Sequence, residues 1–125
     1  YDNPIERIKE VASKENVIEV QNYLSSVRIC DDVLKYIVLL CEKTREMPLI
    51  ELGVSPRGVL ALVQMAKAHA VLEDRIYVIP EDVQYVFLDV CAHRMILRPQ
   101  ARVEGLDARD ILKEILVEVK PPLAD

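Results

Sequence analysis

The stretch GVSPRGVLALVQMAKAHAVLEDRIYVIPEDV, residues 53–83, contains two helix starts separated by an alanine-rich segment. Ser55-Pro56 is a typical opening, with serine at the N-cap and proline in the first turn. Apolar residues then recur at helical spacing to about Glu73. Pro80-Glu81-Asp82 opens a second helix with the negative charge that the helix dipole favours. Residues 75–79 between them are β-prone but too short for more than a single bridge. The stretch therefore predicts two neighbouring helices of a helical domain, the first of them central.

Helical periodicity extends through most of the remaining chain, and only three glycines interrupt the 125 residues. Start signals predict four further helices: Asn3 to about Ser13, Asn16 to about Ser26, Asp31 to about Arg45, and Asp107 to Pro121. Residues 95–104 show no helical period, which predicts loop or short extended chain. The fold class is therefore all-α, a bundle of four to five packed helices with an N-terminal helical arm and at most a minimal β bridge. The candidate core consists of apolar stripes: Val17, Val20, Leu24 and Val27; Val33, Leu34, Ile37, Val38 and Cys41; Val59, Leu62, Val63, Ala66 and Ala70; Val83, Val86, Phe87 and Val90; Ile111, Leu112, Ile115, Leu116 and Val119.

Length, composition and charge limit the class of protein. The chain has the size of one domain, and half of its residues are apolar, enough for a hydrophobic core. Its net charge of −5 argues against nucleic acid or an anionic membrane as the main partner, because both favour clustered lysine and arginine. No apolar run approaches the roughly 20 residues of a membrane span, so we expect no membrane insertion and a cytoplasmic location. The chain starts at Tyr1 rather than Met, which predicts a processed protein or a piece of a longer one. We expect a linker or helical arm (1–15), a helical domain (16–120) and a tail (121–125).

Few residues have the spacing of a catalytic or metal site. The chain contains no phosphate-binding loop, dinucleotide fingerprint, nucleophile elbow or H-E-x-x-H motif. His69 and His93 lie on different predicted helices. We expect His69 to be a satisfied or half-exposed helix residue, and His93 lies at a helix end, where cations are favoured. The acidic pairs 31–32 and 81–82 lie at helix starts, where capping explains them. The cysteines lack C-x-x-C spacing and are expected to be buried reduced thiols: Cys30, Cys41 and Cys91.

Arg57 and Gly58 break local rules at the start of the central helix. A cation in the first turn costs roughly 0.3–1 kcal/mol against the helix dipole, and glycine is a poor helix former. A phosphate oxygen about 4 Å from the guanidinium would return about 4 kcal/mol at an effective dielectric constant near 20. The free N–H groups of a helix N-terminus also favour anions, and the absent side chain of Gly58 would leave them open. Two interpretations remain: Arg57 is a solvated arginine whose stem covers apolar neighbours, or it is a phosphate ligand.

An ordered set of motifs resembles the C-terminal lid subdomain of MoxR-type AAA+ ATPases. The family pattern is G-x-S-P-R, an alanine-rich helix, G-R-x-Y-V-x-P-E-D-V, and H-R, in that order. The resemblance covers roughly Val17 to Leu97. The matching segments in this chain are Gly53–Arg57, Arg75–Val83 and His93-Arg94, with Asp31–Ile37 and Thr44-Arg45 before them.

The resemblance implies a role for Arg57 as the sensor-2 arginine, which reaches from the lid to the β- and γ-phosphates of ATP. Ser55, Pro56 and Gly58 would form the supporting helix start. The parent protein would be an ATPase using ATP and Mg²⁺, and no cofactor is expected on this chain alone, which lacks the phosphate loop and should not hydrolyse ATP. The implied partners are the parent's own AAA+ core domain, neighbouring subunits of a ring, and protein clients of a chaperone-like machine, with von Willebrand A-domain proteins among them. His93 and Arg94 match the family pattern, but their spacing gives no argument for a phosphate role, and a structural role at the end of their helix is at least as consistent.

Three residues depart from the family pattern without touching Ser55-Pro56-Arg57. Asp74 replaces a glycine, but aspartate tolerates the left-handed turn at a helix end. Ile79 replaces a common threonine cap, which would weaken that helix start by about 1 kcal/mol. Val54 replaces a smaller residue.

The alternative to a sensor lid is an autonomous helical protein-interaction module that binds no nucleotide and leaves Arg57 exposed. A DNA-binding helical domain of this size is a third class, but the chain lacks the basic face that DNA binding requires.

Overall fold

Helices account for most of the described residues. The computed structural model describes residues 3–123, and within that range six α-helices follow one another. Short 3₁₀ turns cover Pro4–Arg7, Leu24–Ser26 and Ala92–Arg94. The all-α fold class is therefore confirmed. The six helices are α1 (Lys14–Tyr23), α2 (Asp31–Glu46), α3 (Pro56–Leu72), α4 (Pro80–Cys91), α5 (Pro99–Val103) and α6 (Ala108–Glu118).

The core lies between α3 and α4, and α2 and α6 close it. Ala66 and Ala70 of α3 are fully buried, and their small side chains allow neighbouring helices to approach closely. The predicted stripe of α4 is buried along its whole length, as are three of the five predicted residues of α6. These helices confirm the bundle that the periodicity predicts.

The buried face of α2 differs from the predicted one. Val33, Ile37 and Cys41 are buried as expected, but Val38 is exposed and Leu34 only partly covered. The buried face of α2 instead includes three residues that were not predicted to be in the core: Tyr36, Leu40 and Thr44. Helix α2 has apolar residues on both sides of its apolar stripe, so the sequence does not show which of them face the core. Packing against α3 and α6 determines the buried face.

A small antiparallel sheet was not predicted. Strand β1 (Ile50–Leu52) precedes α3, and strand β2 (Ile96–Leu97) follows the 3₁₀ turn after α4. Ile50 pairs with Leu97, so the sheet joins the α2–α3 connection to the chain beyond α4. The single bridge expected near residues 75–79 is confirmed as a parallel contact between Tyr77 and Arg28.

The prediction of loop or extended chain for residues 95–104 is wrong over α5. This helix has five residues and begins with Pro99 in its first turn. A helix of one turn is too short to show apolar periodicity, and Ala101 is its only buried residue.

The N-terminal arm contains less helix than predicted. Asn3 caps the amide of Ile5 as expected, at 3.1 Å, but only the 3₁₀ turn Pro4–Arg7 follows, and the predicted helix to Ser13 is wrong. No residue of this turn is buried, and a short helix without tertiary packing is marginal in water. The ends of the predicted arm and tail, residues 1–2 and 124–125, lie outside the described residues.

Helix α1 begins three residues earlier than predicted, with its N-cap at Ser13 instead of Asn16. Ser13 is the N-cap, and its hydroxyl accepts from Asn16 N at 3.1 Å while the Asn16 side chain accepts from Ser13 N at 2.9 Å. Asn16 therefore closes a capping box from its third position. Helix α1 has no buried residue, so its predicted stripe from Val17 to Val20 faces outward. No helix within residues 3–123 is long and apolar enough to cross a membrane.

Candidate functional site

The start of α3 presents Arg57 to the solvent. Ser55 is the N-cap, its hydroxyl accepting a long hydrogen bond of 3.4 Å from Gly58 N, and Pro56 occupies the first turn. Gly58 N also donates to Ser55 O at 2.9 Å. Arg57 is exposed, and within residues 3–123 neither its guanidinium nor its amide has a hydrogen-bond partner or an ion pair. The helix start therefore offers one free backbone donor and one free cation from the same residue.

The residue that leads into this helix is fixed from two sides by α2. Thr44 Oγ1 accepts from the amide of Val54 at 2.9 Å, and Arg45 Nε donates to the carbonyl of Val54 at 3.1 Å. Thr44 and Val54 are fully buried. Both backbone groups of Val54 are thus satisfied by adjacent side chains of one helix end, which sets where α3 begins.

Gly53 permits this close approach. A Cβ at Gly53 would lie 2.8 Å from both Arg45 Cγ and Thr44 Oγ1 and 2.9 Å from Arg45 N. A backbone atom cannot yield easily, so a side chain at position 53 would separate the turn from α2.

Gly58 has a packing role that differs from the sequence-based argument. Its missing side chain makes room for Val54, with which a Cβ would collide, and for Arg94, whose Cδ would lie 3.2 Å away. Gly58 is buried, so it does not open the amides of the helix start to an anion. Arg94 in turn donates through Nε to Val90 O at 3.1 Å, a structural role, while His93 is exposed beside it.

The buried carboxylate of Asp82 links α4 to α3 and does more than cap the start of its own helix. Asp82 is fully buried and receives both guanidinium nitrogens of Arg75, at 2.6 and 2.7 Å, and Nδ1 of His69 at 2.6 Å. It also accepts from Ile79 N at 2.8 Å, which compensates for the missing threonine cap. Burial raises the pKa of Asp82, but the hydrogen bonds from Arg75, Ile79 and His69 outweigh it, so its pKa lies below the usual range.

His69 is a satisfied helix residue, as predicted. Its ring stacks on Tyr85 with centroids 4.2 Å apart, and its other nitrogen lies 3.8 Å from Glu73. The nearby turn also behaves as expected, because Asp74 adopts a left-handed φ of 58° at the end of α3.

The cysteines divide into two environments. Cys41 and Cys91 are buried and reduced as expected, but Cys30 is exposed at the start of α2, so the prediction is wrong for it. Within the part of the chain that the structure describes, no group of His, Cys, Asp or Glu side chains has an arrangement that would hold a metal ion.

The described fold is a small helical subdomain with one free arginine at the start of its principal helix, and comparisons assign its family. The AAA lid domain family matches residues 42–115. The chain therefore belongs to the AAA lid domain family, and the predicted resemblance to the lid of MoxR-type AAA+ ATPases is confirmed.

Relatives and a solved structure agree over nearly the whole chain. It is 45% identical over 97% of its length to the uncharacterized protein YeaC of Bacillus subtilis, and 25% identical over 91% to Chaperone MoxR1 of Mycobacterium tuberculosis. A solved structure of a "putative ATPase" from Cytophaga hutchinsonii superposes on 94% of the chain with a TM-score of 0.83 and 33% identity. The chain spans 38% of YeaC, 33% of MoxR1 and 38% of the Cytophaga protein.

Sequence reasoning found the helix start at Ser55 but not the residues that hold it. Thr44 and Arg45 stood out only as part of the family pattern, since their partner Val54 lies about ten positions away. Arg75 begins the predicted β-prone segment and Asp82 belongs to the next helix start, but nothing in the sequence indicated that the two residues pair or that the carboxylate is buried.

Proposed function

We propose that this chain is the nucleotide-sensing lid of a MoxR-type AAA+ ATPase, in which Arg57 contacts the β- and γ-phosphates of ATP held by the parent's core domain. The observation that carries the proposal is the free guanidinium of Arg57 on the first turn of α3. Ser55, Pro56 and Gly58 support that turn. Arg57 is the first-turn residue whose charge the local structure does not use.

Magnitudes favour an anion at this position. The dipole of α3 opposes the charge of Arg57 by roughly 0.3–1 kcal/mol. No acidic residue in the first turn offsets that cost. A phosphate oxygen at about 4 Å contributes about 4 kcal/mol at an effective dielectric constant near 20, several times the cost. The free amide of Arg57 adds a donor that points out of the helix start.

The first turn of α3 is held firmly by its neighbours, as a sensor that transmits force requires. Thr44 and Arg45 fix Val54, and Val54 and Arg94 enclose Gly58, so the start of α3 is tied to α2 and to the end of α4. A pull on Arg57 would therefore move the bundle as a body rather than bend one turn. The lid closes when phosphate engages Arg57 and rotates against the core when the γ-phosphate leaves.

The parent's activity follows from this assignment. It uses ATP with Mg²⁺, hydrolyses ATP, and assembles its subunits in a cytoplasmic ring. The printed name of the Mycobacterium relative, a chaperone, supports a role in assembling or activating protein complexes. The clients include von Willebrand A-domain proteins. Residues 1–15 link the core to the lid, residues 16–120 form the lid, and residues 121–125 form a tail.

Steady-state ATP turnover of the parent protein tests the assignment. Arg57→Ala removes a hydrogen bond to a charged group, worth about 1.5–3 kcal/mol, and should lower turnover about 10- to 100-fold. Arg57→Lys keeps the charge but loses the planar fork, so its turnover should fall between those of the wild type and the alanine variant.

Arg102→Ala is the matched control, since Arg102 is an exposed arginine on α5. Equal turnover for Arg57→Ala and Arg102→Ala, with both proteins folded by circular dichroism, would refute the sensor role and favour an interaction module that binds no nucleotide.

A further inference from the structure

An exposed aromatic and apolar surface lies where α3 ends and α4 begins. Leu72 is the last residue of α3, Ile76 and Tyr77 lie in the connection, and Tyr85 is on the second turn of α4. Each of these four side chains is more than half exposed to solvent. We call this set the tyrosine surface. Large apolar side chains gathered in one place are typical of interaction sites, unlike single exposed ones.

The buried Asp82 network holds the two tyrosines in position. The ring of Tyr85 stacks on the ring of His69 at 4.2 Å, and Nδ1 of His69 lies 2.6 Å from the carboxylate of Asp82. The same carboxylate neutralises Arg75, which donates through Nη1 to the carbonyl of Tyr77 at 3.2 Å. Both tyrosines are therefore attached to one fixed group, and side chains ordered before binding cost less to immobilise in a complex.

The rim of the tyrosine surface is acidic. Glu73, Asp74 and Glu81 are exposed, and Glu81 lies one helical turn before the tyrosine of α4. Within residues 3–123, the carboxylates of Asp74 and Glu81 form no hydrogen bond or ion pair, and Glu73 has a 3.8 Å contact with Nε2 of His69. Arg28 is an exposed cation on the segment that bridges to the α3–α4 connection. Acidic groups thus outnumber basic ones at this rim.

We propose that the tyrosine surface binds an arginine-containing segment of a protein partner. A guanidinium stacks on the face of a tyrosine ring by a cation–π interaction, and its N–H groups pair with the carboxylates of the rim. Leu72 and Ile76 provide apolar area for the neighbouring side chains of the partner. Tyrosine and arginine are enriched among the residues that dominate binding energy at protein interfaces. The acidic rim repels the phosphates of a nucleic acid.

This surface is far from the proposed nucleotide contact. Leu72 follows Arg57 by fifteen positions on the same helix, and a rise of 1.5 Å per residue separates them by about 22 Å. A nucleotide bound at the start of α3 would leave the tyrosine surface accessible. The two proposals can therefore fail separately, and the test below is carried out without nucleotide.

The test is a nuclear magnetic resonance titration of the isotope-labelled chain with the amidated pentapeptide LRLRL, and with LELEL as the matched acidic peptide. We expect LRLRL to shift the amide signals of residues 72–85 at low ionic strength. Raised ionic strength should weaken its binding because part of the attraction is electrostatic. LELEL should leave these signals unchanged.

Alanine variants locate the contact. Tyr77→Ala and Tyr85→Ala should each raise the dissociation constant for LRLRL about fivefold or more. Leu72→Ala should also weaken binding. Leu60→Ala is its matched control, since Leu60 lies toward the other end of the same helix with similar exposure, 68% against 78%. This control should bind LRLRL as the wild type does.

A charge variant tests the acidic rim. Glu73→Gln combined with Asp74→Asn keeps the side-chain sizes, and asparagine tolerates the left-handed backbone at position 74. This double variant should bind LRLRL more weakly and with less dependence on ionic strength.

Three results would overturn the proposal: no shift of these amides up to the solubility limit of LRLRL, equal shifts with LELEL, or equal binding by Leu72→Ala and Leu60→Ala. Shifts of the same amides on concentrating the chain without peptide would also overturn it, because the surface would then join two copies. The titration of the wild-type chain decides the matter even if a tyrosine variant fails to fold.

Discussion

Asparagine in place of Asp82 would leave Arg75 and His69 facing a neutral amide in the interior. The Asp82 carboxylate is fully buried, whereas the side chains of Arg75 and His69 are 20% and 15% exposed to solvent. Removing one partner of a buried ion pair costs about 3–5 kcal/mol. Because Arg75 and His69 can still reach water, we expect the lower end, a loss of about 3 kcal/mol in the free energy of unfolding.

Urea denaturation followed by circular dichroism measures that loss directly. The matched control is Asp89→Asn, which breaks a surface pair with Arg109 of equal length, 2.6 Å, between side chains that are 68% and 52% exposed. Exposed pairs contribute about 0–1 kcal/mol, so the control should change little. A loss below about 1 kcal/mol for Asp82→Asn, or equal losses for both variants, would refute the argument that burial makes the Asp82 network stabilising.

Three further predictions concern the same framework. Folding depresses the pKa of Asp82, so the difference in unfolding free energy between wild type and Asp82→Asn should be fully present above about pH 4 and should shrink as the pH falls below it. A difference that does not change with pH in urea titrations would contradict this. Gly58→Ala should destabilise the fold by about 1–3 kcal/mol despite the better helix propensity of alanine, because its Cβ would collide with Val54. Adding Val54→Ala to that variant should relieve part of the cost, and a higher melting temperature for Gly58→Ala alone would contradict this. Thr44→Val should cost about 1–3 kcal/mol by leaving the Val54 amide unpaired, whereas Thr44→Ser should cost less, and equal unfolding midpoints for the two variants would exclude that hydrogen bond as the cause.

The parts of the fold that sequence predicts best are those with local causes. Ser55 and Asp107 cap the helices they were expected to cap, and both contacts join residues three positions apart. The stripe predicted for α4 is correct because Val83, Val86, Phe87 and Val90 recur at helical spacing, and all four are buried. Helix propensity and capping act over one turn, so a single sequence carries them fully.

The errors come from packing between distant segments. The first predicted helix after Asn3 does not extend beyond a 3₁₀ turn because none of that turn is buried. The short sheet exists because β1 meets β2 more than forty positions along the chain. No local sequence pattern predicts a pairing between strands so far apart in the chain. The buried face of α2 likewise depends on contacts with distant helices.

The candidate site shows the same division. Arg57 stands out from its position alone, because a cation conflicts with the dipole of the helix it begins. Thr44, Arg45 and Arg94 do not stand out, since their roles depend on contacts with Val54 and Gly58 across the fold. Gly58 was correctly identified as unusual, but its reason is packing rather than anion access.

The position of Arg57 in the nucleotide-loaded parent protein tests the central claim most directly. A structure of the assembled protein with Mg²⁺ and a non-hydrolysable ATP analogue should place guanidinium nitrogens of Arg57 about 2.7–3.0 Å from β- or γ-phosphate oxygens. An Arg57 side chain directed into bulk solvent in that complex, with the nucleotide bound and the lid closed, would contradict the account.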